Sequence, residues 1–449
     1  MAKTKTIFVC MECGTTHRRW LGRCPDCETW DSLHEERPES TAVPKLPGPG
    51  ARARAVPLPD GEPRAEERLS TGLGELDRVL GGGLVPGSGV LMAGEPGIGK
   101  STLLLQSAQA IAAGGVRFLY VTGEESASQV KLRADRLGDS PRDLYLLPEC
   151  DVETIENEIF TLKPDVVGID SVQTLRWSEI PSAAGGVLQV REVTARLLTL
   201  ARNLGFPLLL IGHVTKEGSI AGPRVLEHLV DGVLTFEGER TGGLRVLRAV
   251  KNRFGSTQEV GLFEMQSHGL SEVPDASRLL LGSRRHEAPG SATAAILEGN
   301  RPLLVEVQAL VTPSSFGSPA RKVSGLDSGR LSMLAAVLEK RLGMPLGDHD
   351  IHANVVGGVR VSTHCADLAL AAALLSSIRD RPFPADWVFS GEVGLLGEVR
   401  AVAEPSRRLE EAARLGFSTA CLPPRSGATD TVDLRFVEIP DLAALADLL

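Results

Sequence analysis

The chain lacks any long apolar segment, and this absence excludes one class of protein. None of its 449 residues lies in an apolar run that approaches the roughly 18 residues needed to cross a bilayer. The first residues lead directly into cysteines and carry no apolar core of the kind that marks a secretory signal. We therefore expect a cytoplasmic protein that has no membrane role.

An excess of positive charge is also lacking. The chain has 48 Lys and Arg residues against 57 Asp and Glu residues, which gives a net charge of -9. Because affinity for phosphate depends on locally concentrated cations, this balance excludes wholesale electrostatic coating of nucleic acid. The negative net charge is compatible with DNA contact at a local basic patch, or in a narrow channel lined with cations at the centre of a ring-shaped assembly. Aromatic residues are few, at 4%, in a composition otherwise typical of soluble globular proteins.

Cysteine is scarce, with seven residues, but four of them form two close pairs in the pattern C-x2-C-x10-C-x2-C. Four thiolates in two knuckles suit tetrahedral Zn²⁺, and a module this small has too little core to fold without a metal. Redox pairs are the alternative, although both pairs lack the βαβ setting of a thioredoxin motif. His17 is left out of the predicted set because four cysteines complete the shell. The predicted zinc ligands are Cys10, Cys13, Cys24 and Cys27.

Composition and periodicity divide the chain into four parts. Residues 1–33 form the cysteine-rich module, and residues 34–66 are rich in proline without a regular period, which is typical of a linker. In residues 67–275, apolar runs alternate with helical stretches, which predicts an α/β domain around a buried, mostly parallel sheet. The pattern restarts in residues 276–449, which we predict to be a second α/β domain. The predicted strands of the first domain are residues 89–93, 117–121, 165–169 and 207–211, and the second domain is predicted to hold a strand over 351–361 and a helix over 367–378.

The strongest motif is a phosphate-binding loop that lies between a short apolar strand and a predicted helix. Residues 94–101 read GEPGIGKS and match G-x-x-x-x-G-K-[ST]. Glycines let backbone amides curl around a phosphate, Lys100 places a charge at the β and γ oxygens, and Ser101 offers a hydroxyl to Mg²⁺. A glycine-rich turn that matches by chance is the alternative. The predicted nucleotide-binding residues are Gly94, Glu95, Pro96, Gly97, Ile98, Gly99, Lys100, Ser101 and Thr102.

Carboxylates follow two other predicted strands, at the edge where ligands of open α/β sheets gather. Asp170 ends one apolar run, and we predict that it holds Mg²⁺ together with Ser101. Glu124 and Glu125 follow another run, and we assign the general base for the attacking water to Glu124. Ordinary turn acids are the alternative for all three. His213, at the end of a fourth strand, either reports the γ-phosphate state or packs as a core histidine.

Together these motifs resemble those of one family, the bacterial RadA/Sms DNA repair proteins. The resemblance covers nearly the whole chain, and its most distinctive segment is KNRFG at residues 251–255. It implies a RecA-like P-loop ATPase core between an N-terminal zinc ribbon and a C-terminal Lon-protease-like α/β domain. The other segments that carry it are WLGRCPDC at 20–27, STGLGELD at 70–77, YVTGEES at 120–126, IDSVQT at 169–174 and GHVTKEG at 212–218.

The resemblance implies a homo-hexameric ring that uses ATP to move along single-stranded DNA and to migrate branches made by the RecA recombinase. The expected partners are therefore single-stranded and branched DNA and RecA, and the expected cofactors are ATP, Mg²⁺ and Zn²⁺. Lys251 and Arg253 match positions whose cations reach the nucleotide of the neighbouring subunit, where they stabilise charge on the transferring phosphoryl group. Without the family match, both would be interpreted as solvated surface cations.

DNA-facing loops are expected after the strands that end in Asp170 and Gly212. Cations and a stacking ring in glycine-containing loops suit a grip on single strands that ignores sequence. Ordinary solvent-exposed loop residues are the alternative. The first loop is predicted to hold Arg176, Trp177, Gln189 and Arg191, and the second to hold Lys216 and Arg224.

The C-terminal domain resembles the Lon protease fold, most clearly in residues 391–400. Lon activity needs a serine nucleophile and a lysine base within hydrogen-bond reach. Cys365 stands where that serine would be, and Ser406 stands where the lysine would be. We therefore expect a proteolytically inactive scaffold that supports the ring. A cysteine nucleophile paired with His364 or His352 is the alternative, against Cys365 as a small packed residue.

Three other functions use some of the same motifs. An ATP-switched factor that loads or remodels recombination filaments without translocating would keep the phosphate-binding loop and the zinc module. An ATP-dependent protease is suggested by an ATPase joined to a Lon-like domain, and the absent lysine argues against it. A recombinase that pairs strands itself would have neither the zinc module nor the Lon-like domain.

Overall fold

The computed structural model describes residues 7–10, 15–17, 19–26, 28–30, 32–36, 68–213, 225–238, 244–282, 288–314, 319–361, 363–424 and 432–449. The chain divides into two compact units. The first comprises Met1–Glu237, Leu247–Thr257 and Gln266–Leu270, and the second comprises Gly238–Val246, Gln258–Met265 and Ser271–Leu449.

The amino-terminal cysteine-rich module folds as a small antiparallel sheet. Its strands are β1 (Ile7–Cys10), β2 (Thr16–His17) and β3 (Leu33–Glu36). They pair in the order β2-β1-β3 around a small core that contains Cys10, Cys24 and Leu33. The predicted boundary between residues 33 and 34 is too early, because β3 pairs with β1 as far as Glu36. Residues 37–66 of the predicted linker lie outside the described part of the chain.

A nine-stranded sheet forms the framework for the phosphate-binding loop. Its strands are β4 (Gly89–Gly94), β5 (Phe118–Thr122), β6 (Leu144–Pro148), β7 (Val166–Asp170), β8 (Leu208–His213), β9 (Gly232–Gly238), β10 (Leu244–Asn252), β11 (Val260–Gln266) and β12 (Gly269–Glu272). Their order is β12-β11-β10-β9-β4-β8-β7-β5-β6, and β4 to β9 pair in parallel. β4, β5 and β7 are buried along their whole length, which is why each is a continuous apolar run. The predicted parallel sheet is confirmed.

One helix precedes the parallel strands and the others connect them, and local signals set the helix ends. They are α1 (Gly74–Leu80), α2 (Lys100–Ala113), α3 (Ala127–Leu137), α4 (Val152–Leu162), α5 (Val187–Leu204) and α6 (Val225–Leu229). Ser126 caps α3 in a capping box with Gln129, and the Asp151 carboxylate caps α4. α5 ends at Leu204 and is capped by Gly205, whose φ of 83° is left-handed. Because the strands run parallel, their carboxyl ends meet at one edge of the sheet.

The second unit contains a mixed seven-stranded sheet. Its elements are α7 (Ala276–Leu281), β13 (Ser291–Glu298), β14 (Arg301–Pro313), β15 (Arg321–Ser324), α8 (Ser328–Leu342), β16 (His349–Val355), α9 (Asp367–Arg379), β17 (Trp387–Phe389), β18 (Glu392–Val393), β19 (Val399–Arg400), α10 (Pro405–Arg414), β20 (Thr419–Leu422), β21 (Arg435–Glu438) and α11 (Leu442–Ala446). The sheet order is β15-β16-β14-β13-β17-β20-β21, and β18 and β19 form a separate pair.

α9 is the central helix of the second unit. Its first ten residues, from Asp367 to Ser376, are all buried. Small alanine side chains alternate with leucines, so the helix can be packed on every side. Although α9 is apolar, no helix among the described residues is both long and apolar enough to span a membrane.

The division into units differs from the predicted boundary between residues 275 and 276. Leu244, Val246, Val260 and Leu262 precede that boundary, yet they belong to the hydrophobic core of the second unit. Because these four side chains of β10 and β11 belong to that core, the chain passes between the units several times. A single boundary in the sequence therefore does not separate the two units.

Candidate nucleotide-binding site

The structure places the GEPGIGKS segment between β4 and α2. Gly97 and Gly99 have φ values of 80° and 123°, which residues with a Cβ rarely adopt. No side chain caps α2 at Gly99. The first backbone N–H groups of a helix have no acceptor within the helix, so those of Lys100, Ser101 and Thr102 can bind a ligand. The loop therefore forms an anion cradle at the positive end of a helix dipole.

Lys100 lies inside this cradle. Its side chain is buried, and Nζ donates to the carbonyl oxygens of Gly94 at 2.8 Å and Glu95 at 2.9 Å. Burial lowers the pKa of Lys100 to about 8, while the negative charges of Asp170 and Glu124 act in the opposite direction. Both predicted acids are thus close enough to act on this ammonium group, and it remains largely charged at neutral pH.

Asp170 ends β7, and a tyrosine that the sequence analysis missed fixes its carboxylate. Tyr120 donates its hydroxyl hydrogen bond to Asp170 Oδ2 at 2.8 Å. Burial raises the pKa of Tyr120 well above its usual value, and the Asp170 charge adds to this shift. The phenol therefore stays protonated and remains a donor. The neighbouring strands pair Thr122 with Asp170, a register that only the folded sheet reveals.

The two adjacent acids after β5 have different partners. Glu124 is exposed and accepts a hydrogen bond from the Ser171 hydroxyl. Glu125 instead forms an ion pair with Arg133 of α3. This ion pair engages the Glu125 carboxylate with α3. This difference favours Glu124 over Glu125 as the base.

The set of groups in the cradle fits a nucleoside triphosphate with a divalent cation. Backbone amides and an ammonium group match phosphate oxygens, because both donate hydrogen bonds and carry positive charge. A serine hydroxyl and an aspartate carboxylate are oxygen ligands of the kind that Mg²⁺ prefers. Ser101 follows Lys100 at the start of α2, and Asp170 lies two strands away from β4 in the sheet.

Lys251 and Arg253 lie at the end of β10 and bind groups of their own chain. Lys251 Nζ donates to the carbonyl oxygens of Glu227 and Val230, each at 2.7 Å. Burial lowers the pKa of Lys251, and the charge of Arg253 adds to this effect. Arg253 is exposed and its Nη1 lies 3.4 Å from Oδ1 of the buried Asp231. Asp231, which the sequence analysis did not single out, therefore holds this cation in place.

The predicted DNA-facing residues of the first loop lie in different settings. Arg176 is exposed just beyond the short turn that follows β7. Gln189 and Arg191 lie on α5, not in a loop. The Gln189 amide is buried and bonds the backbone of Trp177 at 3.0 and 3.1 Å. Arg191 is exposed, with its Nε 3.7 Å from Glu192.

Trp177, the ring predicted to stack on single-stranded DNA, is engaged by contacts within its own fold. The indole is partly buried and packs against the core of the first unit. The Arg196 guanidinium lies 4.2 Å from the ring centroid, and the indole Nε1 donates to Glu153 at 3.2 Å. A ring that is packed and covered by a cation cannot stack on a base without first breaking these contacts. Lys216, Arg224 and the side chain of His213 lie outside the described residues.

Two of the four predicted cysteine ligands, Cys10 and Cys24, lie in the small core of the cysteine-rich module. Cys10 and Cys24 are fully buried. His17, which was left out of the predicted set, has Nε2 3.7 Å from Cys24 Sγ and 3.4 Å from Asp26 Oδ2. Sulfur and imidazole donors of this type suit Zn²⁺, and a histidine beside a ligand thiolate is suited to orient it. Cys13 and Cys27 lie outside the described residues.

Comparison with known proteins supports both regions. Residues 59–219 match the family described as AAA domain, and residues 8–35 match the one described as rubredoxin metal binding domain. DNA repair protein RadA of Bacillus subtilis (strain 168) is 49% identical over 428 residues, which is 94% of this chain and 93% of the relative. DNA repair protein RadA of Brucella abortus (strain 2308) is 48% identical over 460 aligned residues, 100% of this chain and 97% of the relative. The chain belongs to the RadA family.

In this RadA family chain, the matched regions coincide with the two candidate sites. The AAA domain match includes the phosphate-binding loop, Glu124 and Asp170, and the metal-binding match spans all four cysteines of the paired motif. The expected α/β fold with a RecA-like ATPase domain and an N-terminal metal-binding ribbon is therefore confirmed. The region at residues 59–219 is an ATPase domain of a DNA repair protein family.

The second unit of this RadA family chain shows how Cys365 is held. Its side chain is buried, and Sγ lies 3.0 Å from the Thr363 hydroxyl. His364 is exposed, and its Nδ1 faces Glu392 at 3.4 Å. A histidine turned towards a carboxylate, next to a buried thiol bound by a hydroxyl, is a poor arrangement for a cysteine nucleophile. The structure therefore favours Cys365 as a packed residue.

Proposed function

We propose that this protein is a DNA-dependent ATPase that acts as a motor in homologous recombination and DNA repair. It would translocate on single-stranded DNA as a homo-hexameric ring in the cytoplasm and promote branch migration of intermediates made by RecA. The observation that carries the proposal is the convergence of Lys100, Asp170 and Glu124 on one cradle at the carboxyl edge of a parallel sheet. The relatives, which carry the name DNA repair protein, support the biological setting.

Each group in the cradle has a distinct role in this proposal. The amides at the start of α2 and the Lys100 ammonium bind the β- and γ-phosphates, and Ser101 and Asp170 hold Mg²⁺. Magnesium, when bound, neutralises charge on the phosphate oxygens. Tyr120 orients the Asp170 carboxylate through its hydrogen bond. Glu124 takes a proton from the attacking water, and Lys251 and Arg253 serve the nucleotide of a neighbouring subunit.

The remaining parts of the chain have supporting roles in the proposal. The ribbon comprises residues 1–33 and the rest of β3, which ends at Glu36. It holds Zn²⁺ through Cys10, Cys13, Cys24 and Cys27. Residues 276–449 are a Lon-like scaffold without protease activity, joined to an ATPase domain over residues 67–275. The buried Cys365 supports the loss of proteolysis, since a nucleophile has to reach its substrate.

Strand displacement from a forked DNA tests the motor against the alternatives. We expect the wild type to displace the strand in an ATP-dependent manner and Lys100→Ala to displace none, because the variant loses the cation that binds the phosphates. Lys131→Ala is the matched control, since it removes an exposed lysine paired with Asp135 on α3. Displacement by neither the wild type nor Lys100→Ala would favour an ATP-switched loading factor. Equal displacement by both would contradict the assigned cradle.

The second predicted loop gives a separate test of DNA contact. We expect the double variant Lys216→Ala with Arg224→Ala to lose the stimulation of ATPase by single-stranded DNA, so that the rates with and without DNA converge. The physical reason is that each phosphate contact contributes a salt-dependent part of the affinity. The measurement is the ATPase rate against DNA concentration at two salt concentrations. Stimulation that matches the wild type would remove these residues from the DNA path.

A further inference from the structure

Asn252 is the last residue of β10 and lies between the two cations that are proposed to serve a neighbouring subunit. Successive side chains of a strand point to opposite faces. Lys251 accordingly donates to the carbonyl oxygens of Glu227 and Val230, whereas the Asn252 amide bonds the end of α1. These two side chains therefore attach the end of the strand on two different sides.

The Asn252 amide uses both of its polar atoms. Nδ2 donates to the carbonyl oxygens of Val79 and Leu80, each at 3.2 Å, and Oδ1 accepts from the Phe254 N–H at 2.9 Å. The last carbonyl groups of a helix have no donor within the helix, so the amide satisfies groups that α1 leaves open. The bond to Phe254 closes a turn around Arg253 and fixes the backbone that carries this cation.

Two further contacts hold the same turn against α1. Arg68 donates to the carbonyl oxygen of Phe254 at 2.7 Å and, through its other terminal nitrogen, to that of Gly81. A Cβ atom on Gly255 would lie 3.1 Å from the Gly81 Cα, so the two glycines allow a close approach of their backbones. The turn that follows Asn252 is therefore docked on α1 by side-chain bonds and by a backbone contact.

This turn lies near the end of β4 that is remote from the phosphate-binding loop. The Arg253 N–H donates to the Asp231 carbonyl oxygen at 3.1 Å, and the Asp231 carboxylate accepts from the Gly89 N–H at 3.0 Å. Gly89 begins β4, whereas the loop starts at Gly94, where β4 ends. An extended strand of this length spans about 16 Å. The docking of the turn is therefore separate from the cradle of its own chain.

We propose that Asn252 is a positioning residue, whose docking on α1 sets the position from which Lys251 and Arg253 reach the nucleotide of a neighbouring subunit. The inference rests on the proposed function and adds α1 and Arg68 to the parts of a subunit that serve its neighbour's site. A cation stabilises a transferring phosphoryl group only when it is correctly placed. Loss of the docking should therefore lower the rate although both cations are still present.

The first test is the ATPase activity of Asn252→Ala in the full-length, zinc-loaded protein. We expect kcat to fall about 10- to 100-fold, the size of effect that a misplacement of about 1 Å produces. The affinity for a fluorescent ATP analogue should change little, because the cradle of the same subunit is intact. A wild-type kcat, or a loss confined to ATP affinity, would contradict the inference.

Mixtures of variants assign the defect to one side of the subunit interface. Asn252→Ala mixed with Lys100→Ala should regain part of the activity, because one variant supplies the cradle and the other supplies correctly placed cations. Asn252→Ala mixed with the double variant Lys251→Ala and Arg253→Ala should regain none, because neither protein supplies them. A serine-like structural role that damages the whole subunit would give recovery in neither mixture, and damage to the subunit's own cradle would give recovery in the second mixture alone. Either pattern would overturn the inference.

A second substitution keeps the test decisive if alanine impairs folding. Asn252→Asp preserves the shape of the side chain and the acceptor for the Phe254 N–H, and it loses both donors to α1. It should lower kcat and show the same pattern in the two mixtures. Thermal unfolding of each variant gives the folded fraction used to normalise the rates. Wild-type activity of Asn252→Asp would show that the bonds to α1 do not position the cations.

Two reference measurements complete the experiment. Asn300→Ala is the matched control, since it removes another half-buried amide, one that donates to Glu259 at 3.0 Å, and it should leave kcat at the wild-type value. The mixture of Lys100→Ala with the double cation variant tests the proposed function by itself. If that mixture regains no activity, action across an interface fails and the inference fails with it. If it recovers and Asn252→Ala departs from the expected pattern, the inference alone fails.

Discussion

Replacing Glu124 with glutamine is expected to lower kcat for ATP hydrolysis by about 10²- to 10⁴-fold while ATP still binds. The amide keeps the shape of the side chain and loses the ability to take a proton from water. Binding should persist because Lys100 and the amides of α2 contact the phosphates independently of Glu124. Single-turnover hydrolysis gives the rate, and titration with a fluorescent ATP analogue gives the affinity.

Glu125→Gln is the matched control for this prediction. The two acids are adjacent, yet Glu125 pairs with Arg133 and Glu124 accepts from Ser171. We expect Glu125→Gln to retain most of its activity and to lose some stability, because Arg133 would be left without its charged partner. If Glu125→Gln lost activity as severely as Glu124→Gln, or if Glu124→Gln hydrolysed ATP at the wild-type rate, the assignment of the base would be wrong.

Replacing Lys251 and Arg253 together with alanine is expected to lower kcat by about 10³- to 10⁵-fold, the range for a cation that stabilises a transferring phosphoryl group. In the folded chain both cations are already held in place, Lys251 by the Glu227 and Val230 carbonyls and Arg253 by Asp231. Such prepositioning reduces the entropy lost when a nucleotide of a neighbouring subunit approaches. ATPase assays of the separate and mixed variants are the measurement.

Mixing distinguishes action across an interface from action within one subunit. Subunits that carry Lys100→Ala can still supply Lys251 and Arg253, and subunits that carry the double change can still supply a cradle. A mixture of two inactive proteins should therefore regain part of the activity if the cations act on a neighbour. A mixture as inactive as its components would place the cations at their own subunit's nucleotide or outside catalysis. Arg202→Ala, which removes another cation near Asp231, is the matched control with a small expected effect.

Local sequence pattern was sufficient for the elements that surround the nucleotide. The apolar runs predicted at residues 89–93, 117–121, 165–169 and 207–211 correspond to β4, β5, β7 and β8 within two residues at each end. Strands buried on both faces need continuous apolar side chains, and the glycines of the phosphate-binding loop follow directly from its backbone conformation. The prediction was poorer where such constraints are weak. The strand predicted over 351–361 ends at Val355, because Gly357 and Gly358 turn the chain with φ values of 88° and 72°.

The pairings inside the candidate site could not be predicted in the same way. Tyr120 and Asp170 are 50 residues apart, and Glu124 and Ser171 are 47 residues apart. Each pair meets only because β5 and β7 are neighbours in the sheet with one particular register. The surroundings of Trp177 were equally hidden, since the loop pattern suggested a ring for stacking and gave no sign that the Arg196 guanidinium lies 4.2 Å from its centroid.

The sequence by itself determined the phosphate cradle, the alternation of strands and helices, and the cysteine pattern of the ribbon, because each depends on residues close together along the chain. The tertiary structure decided that Glu125 pairs with Arg133 while Glu124 accepts from Ser171, which cation is held by Asp231, and which strands belong to which compact unit. Those outcomes depend on strand order, register and burial, which arise only when distant segments pack together.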